Sequence, residues 1–361
     1  MRVNGNQLVD ASGRVLQIRG VNASALEFVA IQGWSPTDPW GGQKPNFSAI
    51  AGWKANAVRI PLNEASWLGY QCVNASGATE NPDPGANYKQ TVKAAVSAAN
   101  AAGLYVVLDL HWSAPNNASG VPVCPLAQNP MADADHSIAF WTDIAKTFQS
   151  NPSVVFELFN EPYFYWLPAG ADQWKTLKSG GVNTQYVTGG SPYTVTLNWQ
   201  SAGMQQMLDA IRATGARNVV LAGGVDWNND MTGFLANAPI DSIGQLGAAW
   251  HTYPGEAHSD LSVNGPTIKA IAAVMPVVVT ETGDPCAPGT VGSPYVSQLL
   301  PFADTNGLSY MGWTWDVWGD PANVLIKDAS GTPTDGYGVY FKSHLSSYPS
   351  FLVAIRKFFG I

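Results

Sequence analysis

The chain alternates between short apolar segments rich in β-branched residues and longer segments with helical spacing. Short apolar runs bounded by turn signals predict buried strands, whereas apolar residues three and four positions apart predict helices. Eight strands are predicted in this way, at residues 18–22, 57–61, 104–111, 154–161, 218–222, 246–251, 277–281 and 308–315. Because regular alternation of eight such units is typical of a parallel α/β architecture, we predict a closed (β/α)8 TIM barrel.

Helical segments separate these strands. They are predicted at residues 47–54, 88–102, 137–149, 202–214, 267–274, 295–305 and 351–359, with a fainter signal at 231–236. A doubly wound open sheet is the alternative, but no Gly-rich phosphate loop follows any strand. We interpret residues 1–361 as a single domain. Residues 1–17 are predicted to cap the barrel as an N-terminal β-hairpin, with one arm at 7–9 and a second arm, from 15 on, running into the first strand.

The connecting segments differ in length according to their direction. Joins from helix to strand are short, as at Gly103 and at residues 151–153. Joins from strand to helix are long, and they cover residues 23–46, 63–87, 112–136 and 162–201. Long loops are uncommon without a functional reason. We therefore predict that the rim formed by the C-terminal ends of the strands carries the functional site.

Polar, ionisable and aromatic residues end most of the predicted strands. They are Arg59, Asp109, His111, Asn160, Glu161, His251, Tyr253, Glu281, Trp313 and Trp315. Glu161 and Glu281 end the fourth and seventh strands, so in an eight-stranded barrel they face each other across the mouth. Glycoside hydrolysis requires such a pair, one carboxylic acid to protonate the leaving oxygen and one carboxylate to attack the anomeric carbon. We expect Arg59 and Tyr253 to keep Glu281 ionised, and Asn160 and His251 to hydrogen-bond around Glu161.

Seven short motifs, in order along the chain, resemble those of glycoside hydrolase family 5, the cellulase and mannanase family of the retaining clan. They lie at residues 18–22, 59–61, 110–112, 160–162, 251–253, 280–283 and 312–315. The resemblance implies a (β/α)8 barrel in which Glu161 is the general acid/base and Glu281 the nucleophile. It implies no cofactor and no metal.

The resemblance also implies roles for the surrounding residues. Asn160 would bind the 2-hydroxyl of the sugar at the cleavage site, and Tyr253 and Arg59 would support the nucleophile. His251 would hydrogen-bond near the acid, and His111 would contact the sugar before the scissile bond. Trp313 would be the stacking platform beneath that sugar, with Trp315 as the other candidate for the same role.

The composition constrains partners and compartment. Acidic residues outnumber basic ones, 26 to 18, which argues against nucleic acid or an anionic membrane as partner. Charged residues are only 12% of the chain, and 14 Trp and 13 Tyr supply rings suited to stacking on sugars. Among three cysteines, Cys72 and Cys124 lie in loops after neighbouring strands and form the favoured disulfide, while the state of Cys286 is left open. These features predict a secreted or periplasmic monomer that acts on a polysaccharide or oligosaccharide.

The leading hypothesis is an endo-β-1,4-glucanase, and several alternatives stay open. The segments 116–129 and 163–198 are long, and the second is aromatic, so the enzyme could instead be a β-mannanase or an exo-acting β-glycosidase. Trp34, Trp40, Trp227 and Trp318 are further candidates for stacking. Outside this class, the chain could be a non-catalytic carbohydrate-binding protein, although such proteins usually lose one carboxylate. A metal-dependent hydrolase using Asp109, His111 and His251 is a third alternative, but the first strand lacks the His pair such sites normally use.

Overall fold

The eight predicted strands form one closed parallel barrel. The computed structural model describes residues 1–35, 37–73, 79–80, 86–125, 127–167, 169–190, 193–284, 293–318 and 323–347. The strands, in order around the barrel, are β3 (Arg19–Asn22), β4 (Ala57–Asn63), β7 (Tyr105–Trp112), β8 (Val154–Glu157), β11 (Val220–Ala222), β12 (Leu246–Thr252), β13 (Val277–Thr282) and β14 (Ser309–Gly312). The pairing of β14 with β3 closes the barrel, which confirms the predicted fold.

Helices follow the barrel strands on the outside. They are α1 (Phe47–Gly52), α2 (Glu64–Leu68), α3 (Ala86–Ala101), α4 (Ser137–Phe148), α5 (Gln173–Ser179), α6 (Met204–Ala213), α7 (Phe234–Asn237), α8 (Leu261–Ala272), α9 (Val296–Thr305) and α10 (Tyr337–Ser347). Side-chain oxygens of Asn46, Asn63, Asp172 and Asp260 accept a backbone N–H at the N-termini of α1, α2, α5 and α8. Such caps satisfy donors that the first helical turn leaves unpaired.

Three helices, α2, α5 and α10, were not predicted from the sequence. The helix that follows β14 is α10, which was not predicted, and the predicted helix at 351–359 lies outside the described residues, as does Cys286. The short helix α2 was also missed, because five residues are too few to show a periodic pattern. In contrast, α4 matches its prediction: Phe140, Trp141 and Ile144 are fully buried against the barrel. Burying each such side chain stabilises the fold by roughly 1.5–3 kcal/mol.

The N-terminal segment covers the bottom of the barrel, but its pairing differs from the prediction. Strand β2 (Gln7–Val9) pairs with β1 (Arg2–Asn4), around a two-residue turn where Gly5 has φ +61°. The predicted partner arm contributes a single bridge between Val9 and Val15. Leu8 packs with Ile18 and with inward-facing residues at the N-terminal ends of the barrel strands, so the segment closes that end.

The long segment after β8 is structured rather than a loop. It contains α5 and then an antiparallel pair, β9 (Gly180–Gly190) and β10 (Tyr193–Ala202), on the functional rim. Gly180 begins the pair at φ +62°, and a Cβ there would lie 2.4 Å from the backbone nitrogen of Gly203, so a side chain would not fit. The sequence prediction of a loop was wrong, because it overlooked the alternation at the end of β10, where Leu197 and Trp199 are buried and Asn198 and Gln200 are exposed.

The predicted disulfide is present. Cys72 and Cys124 are bonded, with their Cα atoms 5.1 Å apart. Cys72 lies in β5 (Cys72–Val73), which pairs with β6 (Thr79–Glu80), and Cys124 lies in the segment after β7. The bond therefore joins the rim segments that follow β4 and β7. None of the helices in the described ranges is long and apolar enough to cross a membrane.

Candidate active site

Glu161 and Glu281 lie together at the C-terminal mouth of the barrel. Glu281 is within β13, and its side chain is 5% exposed, whereas that of Glu161 is 23% exposed. One oxygen of each carboxylate and one nitrogen of His251 all lie within 4.8 Å of one another. Carboxyl groups about 5–5.5 Å apart are typical of retaining glycosidases, whereas inverting enzymes keep theirs about 6.5–9.5 Å apart. The separation of Glu161 and Glu281 corresponds to the shorter, retaining spacing.

Glu161 lies beyond the regular end of its strand. The ladder of β8 ends at Glu157, four residues earlier than predicted, because the chain then becomes irregular. Backbone bonds still tie this extension to both neighbouring strands: the Leu158 N–H donates to Leu221 O, and the Asn160 N–H donates to Leu110 O, each at 3.0 Å. The irregular extension thus holds Glu161 over the barrel axis without requiring a regular strand.

Arg59 is the centre of the site. It is fully buried on β4, and its guanidinium has five N–H groups in a fixed planar arrangement. Four hydrogen bonds and one further ion pair surround it: Glu157 Oε2 lies 2.6 Å from Nε, Glu281 Oε1 2.5 Å and Asn22 Oδ1 3.0 Å from Nη1, and Asn160 Oδ1 2.7 Å from Nη2, while Asp109 Oδ2 is an ion-pair contact 2.9 Å from Nη2. One cation therefore fixes five side chains from four barrel strands.

His251 bridges the acid side of the site. A register shift between Trp250 and His251 on β12 brings His251 opposite Glu281 on β13. Its Nδ1 lies 3.0 Å from Glu161 Oε1, and its Nε2 lies 3.0 Å from Thr280 Oγ1. Burial opposes a charge on this ring, but the Glu281 charge, the Glu157 carboxylate 3.6 Å from Nε2 and the hydrogen bond to Glu161 raise its pKa to about 10. At neutral pH His251 is therefore an imidazolium that donates from both nitrogens.

The second oxygen of Glu281 is held by a phenol. The hydroxyl of Tyr253 donates to Glu281 Oε2 at 3.0 Å. Burial, followed by the charges of Glu281 and Glu161, raises the pKa of Tyr253 well above its usual value. The phenol therefore keeps its proton and stays a donor, and Glu281 has a donor on each oxygen.

A cavity of about 380 Å³ opens over these groups. It is lined by His111, Asn160, Glu161, Tyr253, Pro254, Glu281, Trp313 and Asn323. The rings of His111 and Trp313 are stacked, with centroids 5.8 Å apart and planes 14° apart. Asp109 Oδ2 lies 2.6 Å from His111 Nδ1 and orients that ring. Burial lowers the pKa of His111, so the ring facing the cavity is neutral.

Trp315 is placed apart from the other predicted residues. It is 3% exposed and packs edge-on against Trp53, with ring centroids 4.7 Å apart, and it does not line this cavity. Strand alternation would put residues 313 and 315 on the same face. Because the ladder of β14 ends at Gly312, alternation no longer holds beyond it. Of the two residues predicted as the platform, Trp313 lines the cavity and Trp315 does not.

Five polar residues of the site were not predicted from the sequence: Glu157, Thr280, Gln128, Asn22, which accepts from Arg59, and Asn323, which lines the cavity. Glu157 and Thr280 are fully buried and hydrogen-bonded to each other at 2.7 Å. Gln128 hydrogen-bonds Asn160 and donates to the Glu161 carbonyl at 2.6 Å. A single charged residue inside the apolar run at 154–159 is a signal that could have identified Glu157. Gln128 carries no such signal, since it comes from the loop after β7.

Aromatic rings extend the cavity in two opposite directions. The first group, Tyr163, Tyr165 and Trp227, follows β8 and β11, with the ring centroids of Tyr163 and Trp227 5.5 Å apart. The second group, Phe28, Trp34 and Trp318, follows β3 and β14, and Trp318 lies 6.3 Å from Trp313. Because β8 and β11 are diametrically across the barrel from β3 and β14, the two groups flank the carboxylates.

The backbone that presents Trp227 is unusual. Asp226, Trp227 and Asn228 have φ values of 53°, 56° and 62°, a conformation that costs non-glycine residues energy. The Trp227 N–H donates to the Pro162 carbonyl at 2.9 Å, which fixes this turn to the segment carrying Glu161. Trp227 and Trp34 are 38% and 67% exposed, whereas Trp40, a further candidate for stacking, is 2% exposed and packs in the core.

Comparisons with known proteins agree with this geometry. The family model described as cellulase (glycosyl hydrolase family 5) matches residues 9–319. An endoglucanase of Clostridium saccharobutylicum is 22% identical over 342 residues, covering 93% of this chain and 60% of that protein. Endoglucanase 5 of Pectobacterium carotovorum is 23% identical over 339 residues, covering 91% of this chain and 53% of that protein. This chain thus spans roughly half to three-fifths of these relatives.

Solved structures share the fold. A β-glucanase from Saccharophagus degradans, in complex with cellotetraose, superposes with a TM-score of 0.65 at 24% identity, covering 96% of this chain and 92% of that one. The catalytic domain of a Thermobifida fusca endoglucanase gives a TM-score of 0.62 at 19% identity, covering 96% and 97%.

Proposed function

The chain belongs to glycosyl hydrolase family 5, and from this premise we propose that it is a retaining endo-β-1,4-glucanase. The observation that carries the proposal is the short separation of Glu161 and Glu281, whose nearest oxygens lie within 4.8 Å. At that spacing no water fits between the second carboxylate and the sugar, so Glu281 itself is the nucleophile.

The surroundings of each carboxylate support a division of roles. Arg59 and Tyr253 each place a donor on one oxygen of Glu281, which stabilises its negative charge and aims it into the cavity. Glu281 attacks the anomeric carbon while protonated Glu161 donates its proton to the departing glycosidic oxygen, and a covalent glycosyl-enzyme forms. Glu161, now a carboxylate, removes a proton from water, the water attacks the same carbon, and Glu281 is released.

Endo action on a β-glucan is supported by the aromatic groups on both sides of the carboxylates. A polymer chain lying across Trp34 and Trp318 on one side and Trp227 and Tyr165 on the other would present an internal bond to Glu161. Sugar rings stack on exposed aromatic faces through their apolar C–H surfaces. The names of the related endoglucanases and the neighbour crystallised with cellotetraose are consistent with this substrate.

The other hypotheses are less well supported by the site. A non-catalytic binding protein would not require the separate hydrogen-bonding environments that Glu161 and Glu281 have here. A metal-dependent hydrolase would need neutral His251 as a ligand, whereas the raised pKa of that ring, about 10, keeps it protonated. A β-mannanase or an exo-acting enzyme would share the same chemistry, and the choice depends on the rim segments.

A substrate panel tests the proposal. We expect release of reducing ends from carboxymethyl cellulose with a rapid fall in viscosity, and slower action on glucomannan and xylan. Product lengths from cellohexaose distinguish internal cleavage from release of a single product size. Activity restricted to mannan, or one product length from every chain, would contradict the endoglucanase assignment, and no turnover of any β-glycoside would contradict the enzyme assignment.

The compartment and assembly are also proposals. The buried disulfide between Cys72 and Cys124 and the low content of charged residues, 12%, favour a secreted or periplasmic protein. We further propose that the chain acts as a monomer on soluble or insoluble glucan, without nucleic acid or membrane as partner. Fractionation of the producing cells and light scattering of the pure protein test these two points.

A further inference from the structure

Glu157 is a buried carboxylate that the reaction described above does not use. It ends the ladder of β8, four residues before Glu161, and its side chain is 0% exposed. It does not line the cavity, so it cannot touch the substrate. An ionised group in such a place requires partners for both oxygens, because burying an unpaired charge costs several kcal/mol.

The two oxygens of Glu157 have partners in different halves of the site. Oε2 accepts from Arg59 Nε at 2.6 Å, and Arg59 in turn contacts Glu281. Oε1 accepts from the Thr280 hydroxyl at 2.7 Å, and that hydroxyl oxygen lies 3.0 Å from His251 Nε2. A continuous chain of contacts thus runs from Glu281 through Arg59, Glu157, Thr280 and His251 to Glu161.

We propose that Glu157 is a positioning residue that couples the two catalytic carboxylates, holding Arg59 against Glu281 and, through Thr280 and its own charge 3.6 Å away, keeping His251 as a charged donor to Glu161. This inference rests on the proposed glycosidase function and deepens it. The direction of the hydrogen bonds follows from the chemistry: a carboxylate only accepts, so Thr280 must donate to it. The Thr280 oxygen then accepts from His251 Nε2, and the second ring N–H is left to donate to Glu161.

The charges around Glu157 and His251 agree with these hydrogen-bond directions, in which Glu157 accepts and His251 donates. Burial opposes ionisation of Glu157, but the Arg59 charge and the charge of His251, whose Nε2 lies 3.6 Å from Glu157 Oε1, lower its pKa to about 2. Arg59 and His251 are the cations facing it, and Asp109 is the neighbouring acid. His251 is faced by Glu281 and Glu161 in addition to Glu157. Removing the charge of Glu157 therefore lowers the pKa of His251, while two acidic neighbours remain.

The substitution Glu157→Gln preserves size and removes the charge. An amide that accepts from Arg59 with its oxygen presents its NH2 to Thr280. The Thr280 hydroxyl must then point toward His251 Nε2, which becomes an acceptor on a neutral ring. Nδ1–H still donates to Glu161, but it no longer belongs to a cation. We expect kcat/KM to fall about 10- to 100-fold, chiefly through kcat. We also expect the basic limb of its pH profile to move to lower pH by at least about one unit.

Variants of Thr280 separate the effect of Glu157 on His251 from its effect on Arg59. Thr280→Val removes the hydroxyl but leaves Glu157 on Arg59 and 3.6 Å from His251 Nε2, so we expect a shift of the basic limb in the same direction as in Glu157→Gln but smaller, with a loss confined to proton donation by Glu161. Its defect should shrink on an aryl β-cellobioside with a good leaving group, which needs no proton, whereas the Glu157→Gln defect should persist there. Thr280→Ser keeps the hydroxyl and should restore the wild-type profile.

Glu64 provides a control for replacing a buried glutamate without removing a charge, because burial and the neighbouring Asp133 raise the pKa of Glu64 well above its usual value. It is also fully buried and accepts two hydrogen bonds, from the Ala114 N–H and the Ser137 hydroxyl, each at 2.6 Å, but it lies outside the site. Glu64→Gln should leave the pH profile unchanged.

The coupling role is overturned if Glu157→Gln and Thr280→Val give pH profiles that superimpose on the wild type, with only the melting temperature lowered. If Glu157→Gln does not fold, the Thr280 variants decide the same question. An inactive wild type would refute the proposed function instead.

Discussion

Arg59 and Glu281 meet at 2.5 Å, Nη1 to Oε1, where their side chains are 0% and 5% exposed. The pair is not an isolated ion pair, because Arg59 also contacts Glu157, Asn22, Asn160 and Asp109. A buried ion pair stabilises the folded protein only when its geometry is good and the remaining donors of the cation also have partners. Here that geometry fixes one oxygen of Glu281 and leaves the other to Tyr253, so the orientation of the carboxylate is determined before any sugar binds.

Glu281→Ala should abolish hydrolysis, with kcat/KM on an aryl β-cellobioside lower by several orders of magnitude. The vacated space admits azide, which attacks the anomeric carbon once and yields an α-glycosyl azide. Product configuration by NMR is the measurement, with Glu64→Gln as the control for replacing a buried glutamate. A β-azide product would show that Glu281 is not the nucleophile.

Glu161→Ala should depend on the leaving group. Formation of the glycosyl-enzyme on Glu281 continues when the aglycone leaves without a proton, so we expect near-normal first turnover on a dinitrophenyl glycoside and a large loss on cellohexaose. Azide then attacks the intermediate and restores turnover, with a β-glycosyl azide as product. Equal losses on both substrates would be inconsistent with an acid/base role.

The two aromatic groups should control binding of long chains. Trp34→Ala and Trp227→Ala each remove an exposed ring, and we expect KM for cellohexaose to rise about tenfold, which corresponds to about 1.4 kcal/mol of stacking. The kcat for a short aryl glycoside should change little. Ile240→Ala is a suitable control, since Ile240 is 74% exposed and does not line the cavity. Unchanged KM in both variants would argue against a groove.

The pH dependence of stability should reveal the charge on His251. Its pKa is about 10 in the folded protein and about 6.5 in an unfolded chain, so its contribution is complete below about pH 6.5 and is lost as pH rises through 10. Burial raises the pKa values of Glu256 and Asp316 to about 7, and both groups are largely ionised above about pH 8. We expect urea midpoints to fall between about pH 8 and 10 in the wild type and to stay level in His251→Asn. Parallel curves for the two proteins would contradict an imidazolium at this position.

Loss of the disulfide should lower the unfolding temperature but change kcat little. The bond closes a loop with a sequence separation of 52, for which chain entropy gives about 4 kcal/mol of stabilisation. The double variant Cys72→Ser, Cys124→Ser should therefore unfold at lower temperature in calorimetry. Its kcat at 25 °C should remain close to that of the wild type, because neither cysteine lines the cavity. A calorimetric transition unchanged by reduction would contradict this stabilising role.

The sequence was sufficient for the barrel and for most residues that meet at its mouth. Strand alternation and loop length depend on neighbours along the chain, so they are visible without coordinates. The placement of Trp315 was not predictable, because it depends on where the ladder of β14 ends. The pair β9 and β10 was missed because its packing partners lie far away in the chain: Leu197 and Trp199 pack against Val123, and Ser201 bridges to Asp133.

The sequence by itself determined which residues end the strands and hence that Glu161 and Glu281 share one rim. Only the tertiary structure decided how those groups are connected, because hydrogen-bond partners come from strands distant in the chain. Arg59 and Glu157 are 98 residues apart, and Arg59 and Glu281 are 222 apart, yet each pair is in direct contact. Periodicity records which side of a strand a residue faces, whereas the partner it meets there depends on register, bulges and strand ends.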